Sequence, residues 1–154
     1  MKATELLKQQ HREVMALFKE LENTDASRGR RRLVDEIAKH LDAHTTIEEE
    51  IFYPAVHEAG TQKAEEIVLE AIEEHHVVKL VLEELPSVDP GAENFEAKMM
   101  VLKELVEHHV EEEHSEMFPL AEKKLGKDAL QELGERLEAR SEELLRAQQS
   151  RKRA

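Results

Sequence analysis

The sequence predicts an all-α protein, an up-down-up-down four-helix bundle with an additional C-terminal helix. Three observations predict it: Gly (5) and Pro (4) are scarce, apolar residues recur at helical spacing in five segments, and turn residues separate those segments. No segment alternates apolar and polar residues as a strand does. Because long helices joined by short loops pack as antiparallel neighbours, we expect a bundle.

The first two segments, about 3–22 and 30–58, are separated by the polar stretch 23–29. Gly60 ends the second, as a helix-terminating glycine does. Their stripes are predicted to face inward: Leu7, Val14, Phe18 and Leu21 in the first, and Ile37, Leu41, Ile51 and Ala55 in the second.

The third segment, about 62–85, stops before Pro86, and residues 87–91 form the longest loop. The fourth, about 92–124, ends at Gly126, and the fifth covers about 128–148. Their inward stripes are Val68, Ala71, Val78 and Leu82, then Leu102, Leu105 and Leu120, then Leu130, Leu133, Leu137 and Leu144.

These elements predict one domain, with the bundle in residues 1–125 and a C-terminal amphipathic helix with a basic tail in 126–154. We expect the tail, Arg151 to Arg153, to be solvated. The fifth helix is expected to cover one side or end of the bundle, or to form a dimer contact, in a monomer or weak homodimer.

Composition excludes several classes of function. The net charge of −13 excludes nucleic acid as the main partner, because phosphate binding needs a basic face. The absence of cysteine excludes disulfides, thiolate zinc sites and catalytic thiols. Residues 1–10 lack the apolar core of a signal peptide, and no apolar run is long enough to span a bilayer. We therefore expect a cytoplasmic protein.

Nine histidines are many for such an acidic chain, and four of them fall on the predicted inward stripes. Two of these four have a glutamate one turn later on the same face. Because unpaired charged groups are costly to bury, this set predicts a metal pair that supplies positive charge. The candidate ligands are His11, His44, Glu48, His75, His109 and Glu113.

The pattern is an internal repeat. His44-x-x-x-Glu48 is followed by Tyr-Pro nine and ten residues past the histidine, and His109-x-x-x-Glu113 by Phe-Pro at the same offsets. A histidine stands 33 or 34 residues before each motif. We therefore expect a dinuclear centre with two near-equivalent halves, and a kink at Pro54 and at Pro119.

Residues 1 to 124 resemble the hemerythrin-like, or HHE cation-binding, family. The resemblance rests on the ordered set His, His-x-x-x-Glu, His, His-x-x-x-Glu, on Leu-Lys-Gln-Gln-His11 and on Ile-Glu-Glu-Glu-Ile-Phe-Tyr-Pro54. It implies a bundle holding two iron ions joined by an oxo or hydroxo bridge, with the six candidates as ligands.

Three departures from that family matter. Lys79 stands where oxygen-carrying hemerythrins have a second histidine, His114 stands where they have an aspartate, and Gln10 replaces a frequent acidic residue. The missing histidine favours reaction with oxygen, hydrogen peroxide or nitric oxide, in oxidative or nitrosative stress defence, over reversible oxygen carriage. A catalase-like activity would fit.

Several alternatives stay open from the sequence. His76 competes with His75 as the ligand of the third helix, and His114 or Tyr53 could reach the metal. His108 and the Glu-rich outer faces, Glu112 included, are expected to be exposed. Alternative functions are a non-enzymatic oxygen or iron sensing or storage module, or a metal-free interaction protein.

Overall fold

The computed structural model describes the backbone of residues 1–153 and the side chains of residues 1–150. Over that range it has five helices and no strand, which confirms the predicted all-α bundle. The helices are α1 (Ala3–Glu22), α2 (Ser27–Ile47, continued by a π turn, Glu48–Phe52, and by Tyr53–His57), α3 (Gln62–Glu84), α4 (Phe95–Glu112, continued by a π turn, Glu113–Met117, and by Phe118–Leu125) and α5 (Lys127–Arg153).

The helix ends follow the predicted turn signals. Gly60 and Gly126, which follow α2 and α4, have φ of 77° and 83°, the left-handed region that glycine enters without strain. The side chain of Thr61 accepts a hydrogen bond of 3.0 Å from the Ala64 N–H and caps α3. The start of α4 is later than predicted because the Asp89 side chain accepts a bond from the Gly91 N–H and holds the loop as a turn.

Each π turn ends two residues before a predicted proline site, at Phe52 before Pro54 and at Met117 before Pro119. The amide of Tyr53 donates to the carbonyl of Glu48, and the amide of Phe118 to that of Glu113, five residues back in both cases. A proline removes one helical hydrogen bond and its ring presses on the preceding turn, which a wider π turn relieves. The expected disturbance therefore takes the form of a π turn at the same level in both helices.

The π turns also correct part of the predicted stripes. Each inserts one residue, so beyond Glu48 the buried residues are Phe52, Tyr53 and Val56, while Ile51 and Ala55 are only partly buried. In α4 the same shift buries Met117, Phe118 and Ala121 and leaves Leu120 partly buried. A prediction from unbroken 3.6-residue periodicity could not anticipate this step.

The apolar core has two clusters with a polar layer between them. One cluster lies at the end that contains Leu7, Phe52 and Phe118, and the other at the end that contains Phe18, Ile37 and Leu102. On each of the four bundle helices the predicted ligands fall between these clusters. The layer is therefore closed from both ends by apolar side chains.

The fifth helix lies against α1 and α2. Leu130, Leu133 and Leu137 join the first core cluster, and Arg140 pairs with Glu50 of the α2 π turn at 2.9 Å. It therefore covers one side of the bundle. The predicted solvation of the basic tail lies outside the described side chains. No helix in the described part of the chain is long and apolar enough to cross a membrane.

Candidate metal centre

All six predicted ligands meet in the layer between the two core clusters. Their exposed fractions are at most 6%, and those of Glu48 and Glu113 are 0% and 1%. The ring nitrogens that face the interior are the Nε2 atoms in all four histidines. The donor atoms of the six side chains form two groups close enough to hold metal ions: His11, His44, Glu48 and Glu113 in the first, and Glu48, His75 and His109 in the second.

The first group is built from α1, α2 and α4. The His11 Nε2 lies 3.1 Å from the His44 Nε2 and 3.1 Å from the Glu113 Oε1. The His44 Nε2 lies 3.1 Å from the Glu48 Oε1. Ligand atoms held about 2.1 Å from one ion at right angles are about 3.0 Å apart, so this spacing fits an ion between them.

The second group joins α2, α3 and α4. The His75 Nε2 lies 3.1 Å from the Glu48 Oε1 and 3.0 Å from the His109 Nε2. The same Glu48 oxygen therefore contacts a histidine of each group. The Glu113 Oε1 also lies between the groups, 3.1 Å from the His11 Nε2 and 3.4 Å from the His109 Nε2. The two halves that look equivalent in the sequence are therefore joined by both carboxylates.

Outside the layer, a second residue contacts the remaining ring nitrogen of each histidine. The His44 Nδ1 lies 2.7 Å from the Gln10 Oε1, and the His75 Nδ1 lies 3.1 Å from the Glu49 Oε2. The contacts of the other two are His109 Nδ1 to Glu74 Oε1 at 2.8 Å and His11 Nδ1 to His114 Nε2 at 2.9 Å. Such outer contacts fix the ring orientation and leave Nε2 free to bind metal, as in most protein metal sites.

Among the described side chains, one oxygen of each buried carboxylate is left without a hydrogen bond, while the other is in contact with Tyr53. The Glu48 Oε2 and the Glu113 Oε1 are buried and accept no hydrogen bond from any side chain that the structure describes. A buried carboxylate oxygen without a partner is costly. Four imidazole nitrogens and two such carboxylates form a donor set that fits a pair of cations.

The charges in the layer are strongly coupled. Burial opposes ionisation of Glu48, but the His44 imidazole and hydrogen bonds with Glu113 and His109 outweigh it and hold the Glu48 pKa well below its usual range. Burial, followed by the charge of Glu48, raises the pKa of Glu113 well above its usual range. The pair therefore resists carrying two negative charges, which bound cations would offset.

Tyr53, left open by the sequence, lies inside the layer. Its hydroxyl is 3.0 Å from the Glu113 Oε2, 3.1 Å from the His75 Nε2 and 3.2 Å from the His109 Nε2. Burial and then the two carboxylates raise its pKa well above its usual range, so it remains a phenol that can donate a hydrogen bond.

The structure separates the other candidates. His76 is exposed, whereas His75 is 1% exposed and faces the layer. His114 is exposed and contacts the outer side of His11, and Lys79 pairs with Glu49 at 2.7 Å. His108 is exposed as predicted.

Four contributors to the site were missed or misread in the sequence. Glu49, Glu74 and the amide of Gln10 contact the outer side of the histidines, and no sequence signal marks them because these contacts depend on how neighbouring helices pack. Glu112, expected on a solvated face, is only partly exposed, since its carboxylate lies 2.9 Å from the His108 Nε2 and close to Glu74.

A cavity of about 20 Å³ adjoins the four histidines. Its remaining walls are apolar apart from Gln10 and Thr45, and include Val14, Leu41 and Val106. A space of this size holds about one water-sized molecule. Only a very small reactant could therefore lie there.

Comparisons with known proteins agree with this geometry. The sequence model of the family described as Hemerythrin HHE cation binding domain matches residues 2–121. A DNA nickase from Nostoc sp. is 30% identical to this chain over 122 residues, which are 77% of this chain and 33% of the nickase. This chain therefore spans about a third of the length of the nickase. The uncharacterized protein Rv2633c from Mycobacterium tuberculosis is 30% identical over 146 residues, 94% of this chain and 88% of that protein.

A solved structure extends the match to the whole fold. The crystal structure of a Hemerythrin HHE cation binding domain-containing protein, the Rv2633c homolog from Mycobacterium kansasii, superposes with a TM-score of 0.88 at 29% identity. The superposition covers 100% of this chain and 93% of that one, so the similarity includes α5. The chain belongs to the Hemerythrin HHE cation-binding domain family.

Proposed function

We propose that this chain is a non-haem di-iron protein that reacts with oxygen, hydrogen peroxide or nitric oxide as part of oxidative and nitrosative stress defence. The observation that carries the proposal is the pair of overlapping donor groups joined by the Glu48 carboxylate. Imidazole and carboxylate donors without thiolates suit iron in both ferrous and ferric states. Joined by an oxo or hydroxo bridge, two irons would supply or accept two electrons in reactions with such small oxidants.

The residues of this chain would do three things. His11, His44, His75 and His109 would hold the ions through Nε2, with the carboxylates of Glu48 and Glu113 between the two groups. The apolar walls of the small cavity would exclude bulky reactants. Tyr53, which lies in the first core cluster and does not line that cavity, would donate a hydrogen bond to the carboxylates, since its hydroxyl lies within 3.4 Å of both.

Reaction is preferred over oxygen carriage because six side chains are available as ligands. Lys79 stands at the position of the additional histidine in the oxygen carriers that the chain resembles, and its ammonium group is engaged with Glu49. The proposed reactants are small molecules in the cytoplasm. With a net charge of −13 we propose no nucleic-acid partner, although one relative is named a DNA nickase.

Iron quantification and peroxide turnover test the proposal. Protein purified from iron-replete cells should contain about two irons per chain and show oxo-to-ferric charge-transfer absorption. Peroxide consumption should be lost in His44→Ala and Glu48→Ala and kept in His108→Ala, since His108 is 67% exposed at its side chain. A folded protein without iron would contradict the proposal. Iron binding without turnover would favour the sensing or storage alternative.

A further inference from the structure

The outer partner of His44 differs chemically from those of His75 and His109. His75 and His109 face the carboxylates of Glu49 and Glu74, which accept at either oxygen. His44 faces the amide of Gln10, which accepts only through Oε1. Gln10 supports metal binding by the His44 Nε2 only while its oxygen, and not its NH₂ group, points at Nδ1.

The other end of this amide is held by the fifth helix. The Gln10 Nε2 donates to the Ser141 Oγ at 3.3 Å. Ser141 is 8% exposed, and among the described side chains of α5 it is the polar one that is buried. A chain of hydrogen bonds therefore runs from α5 through Gln10 to the His44 ring.

Packing alone does not fix Gln10 in this position. A cavity of about 70 Å³ lies between α5 and the bundle, and Gln10, Ser141 and His44 all line it. A side chain next to such a space can rotate unless a hydrogen bond holds it. The Ser141 hydroxyl supplies that bond. Because a hydroxyl can accept or donate, it fixes the position of the amide, and a cation bound to the His44 Nε2 selects the orientation in which the Gln10 oxygen faces Nδ1.

The orientation of the Gln10 amide goes with one tautomer of His44. With the observed orientation, His44 Nδ1–H donates to the Gln10 oxygen and leaves the Nε2 lone pair free for a cation. With the amide reversed, its NH₂ group would donate to Nδ1, and the ring proton would sit on Nε2, where it blocks metal binding. The position of Gln10 is thus linked to the metal affinity of His44.

We propose that Ser141 is a positioning residue for the metal centre: it holds the Gln10 amide beside the His44 Nδ1, where its oxygen supports the metal-binding tautomer, and so links the docking of α5 to metal affinity. The inference rests on the metal centre of the proposed function. It concerns the group of His11, His44, Glu48 and Glu113, and leaves the His75–His109 side unchanged.

A titration of the metal-free full-length protein with Co²⁺ tests this, followed by the visible absorption of the bound ion and by calorimetry. In Ser141→Ala one of the two binding steps should weaken about 2- to 10-fold, the usual effect of one net hydrogen bond. Ser141→Thr keeps the hydroxyl, and the cavity has room for the added methyl, so it should restore the affinity. Gln148→Ala is the matched control, because it removes another α5 hydrogen bond, to Asp42 at 3.0 Å, away from the site.

A double-mutant cycle separates positioning from general loosening of α5. Gln10→Glu replaces the amide with a carboxylate, which accepts from the His44 Nδ1–H more strongly and depends less on Ser141 to stay in place. In this background Ser141→Ala should change Co²⁺ affinity less than twofold. The cycle should therefore show coupling between positions 10 and 141.

Three results would overturn the inference. They are unchanged Co²⁺ affinity in Ser141→Ala, an equal loss in Gln148→Ala, or a loss in Ser141→Ala that persists with Gln10→Glu. If the wild-type protein binds no Co²⁺ or iron, the proposed function fails as well. If it binds two ions and Ser141→Ala has no effect, only the positioning role fails.

Discussion

Glu48 contacts a histidine of each donor group, so its removal should affect both metal positions, whereas removal of His75 should affect one. The Glu48 Oε1 lies 3.1 Å from the Nε2 of His44 and 3.1 Å from that of His75. His75 belongs to the second group alone. Glu48→Ala should therefore abolish tight binding of both ions, and His75→Ala the binding of one.

The magnitude follows from linkage between binding and folding. At a free metal concentration of about 100 times Kd, each site adds about 2.7 kcal/mol to the free energy of unfolding. Two sites add about 5 kcal/mol, which in a domain of this size raises Tm by about 10–20 °C. His75→Ala should keep about half of this rise and Glu48→Ala almost none.

The assay is the difference in Tm between metal-loaded and metal-free samples of each variant, with metal content measured on the same samples. Using the difference removes any effect of the substitution on the metal-free fold. His108→Ala should behave as the wild type. The assignment of Glu48 to both groups is refuted if Glu48→Ala keeps one tightly bound ion and half of the Tm rise.

Three further predictions concern packing, the buried hydroxyl and pH. In Gly134→Ala the new Cβ would lie 2.0 Å from the backbone oxygen of Met1. This clash outweighs the gain in helix propensity, so the substitution should lower the free energy of unfolding by about 1–2 kcal/mol. Gly29→Ala, whose Cβ would meet only a side-chain methyl, is the control in the same denaturant titration, and equal stability of both variants would contradict the packing argument. Tyr53→Phe leaves buried carboxylate oxygens without their hydrogen-bond donor, so it should lower the free energy of unfolding of the metal-free protein by about 1–3 kcal/mol. The change would be measured as a lower denaturant midpoint. An unchanged midpoint would show that the carboxylates accept a hydrogen bond from another group. Burial, and then Glu74, raise the pKa of Glu112 to about 7. Between pH about 4.5 and about 7 the folded protein therefore holds a proton on Glu112 that the unfolded chain has lost, so the free energy of unfolding should fall slightly as pH rises. Glu112→Gln should flatten this slope in measurements of Tm against pH, and an unchanged slope would assign it to other groups.

The sequence was sufficient for the helices and their order, because apolar spacing and the glycines at 60 and 126 mark them directly. It failed on the helix phase beyond Glu48 and Glu113. The inserted residue of a π turn leaves no mark in composition, and its position depends on how the chain accommodates the following proline. Phe52 and Tyr53 therefore replaced Ile51 and Ala55 in the core.

The candidate ligands could be placed together from the sequence because the four histidines precede the π turns and the two glutamates are their first residues, so all six stay in phase with the apolar stripes. Their outer partners could not. Glu49 and Glu74 stand beside a ligand in the sequence and look like solvated surface, and their contacts depend on the packing angle between neighbouring helices. In the sequence, Gln10 stands where the family often has an acidic residue, yet its amide oxygen contacts the His44 ring.

The internal repeat suggested two near-equivalent halves, and the side chains around the layer make them different. At the same offset from its histidine, the first repeat places Tyr53, whose hydroxyl reaches both carboxylates, and the second places Phe118, which stacks on His11. Outside the layer, carboxylates stand behind His75 and His109, whereas neutral groups stand behind His44 and His11. Because outer carboxylates make imidazoles more basic ligands, two ions in this layer would have different electron density. That difference would let a small molecule bind preferentially at one of the two positions, which fits the proposed reaction with a small oxidant.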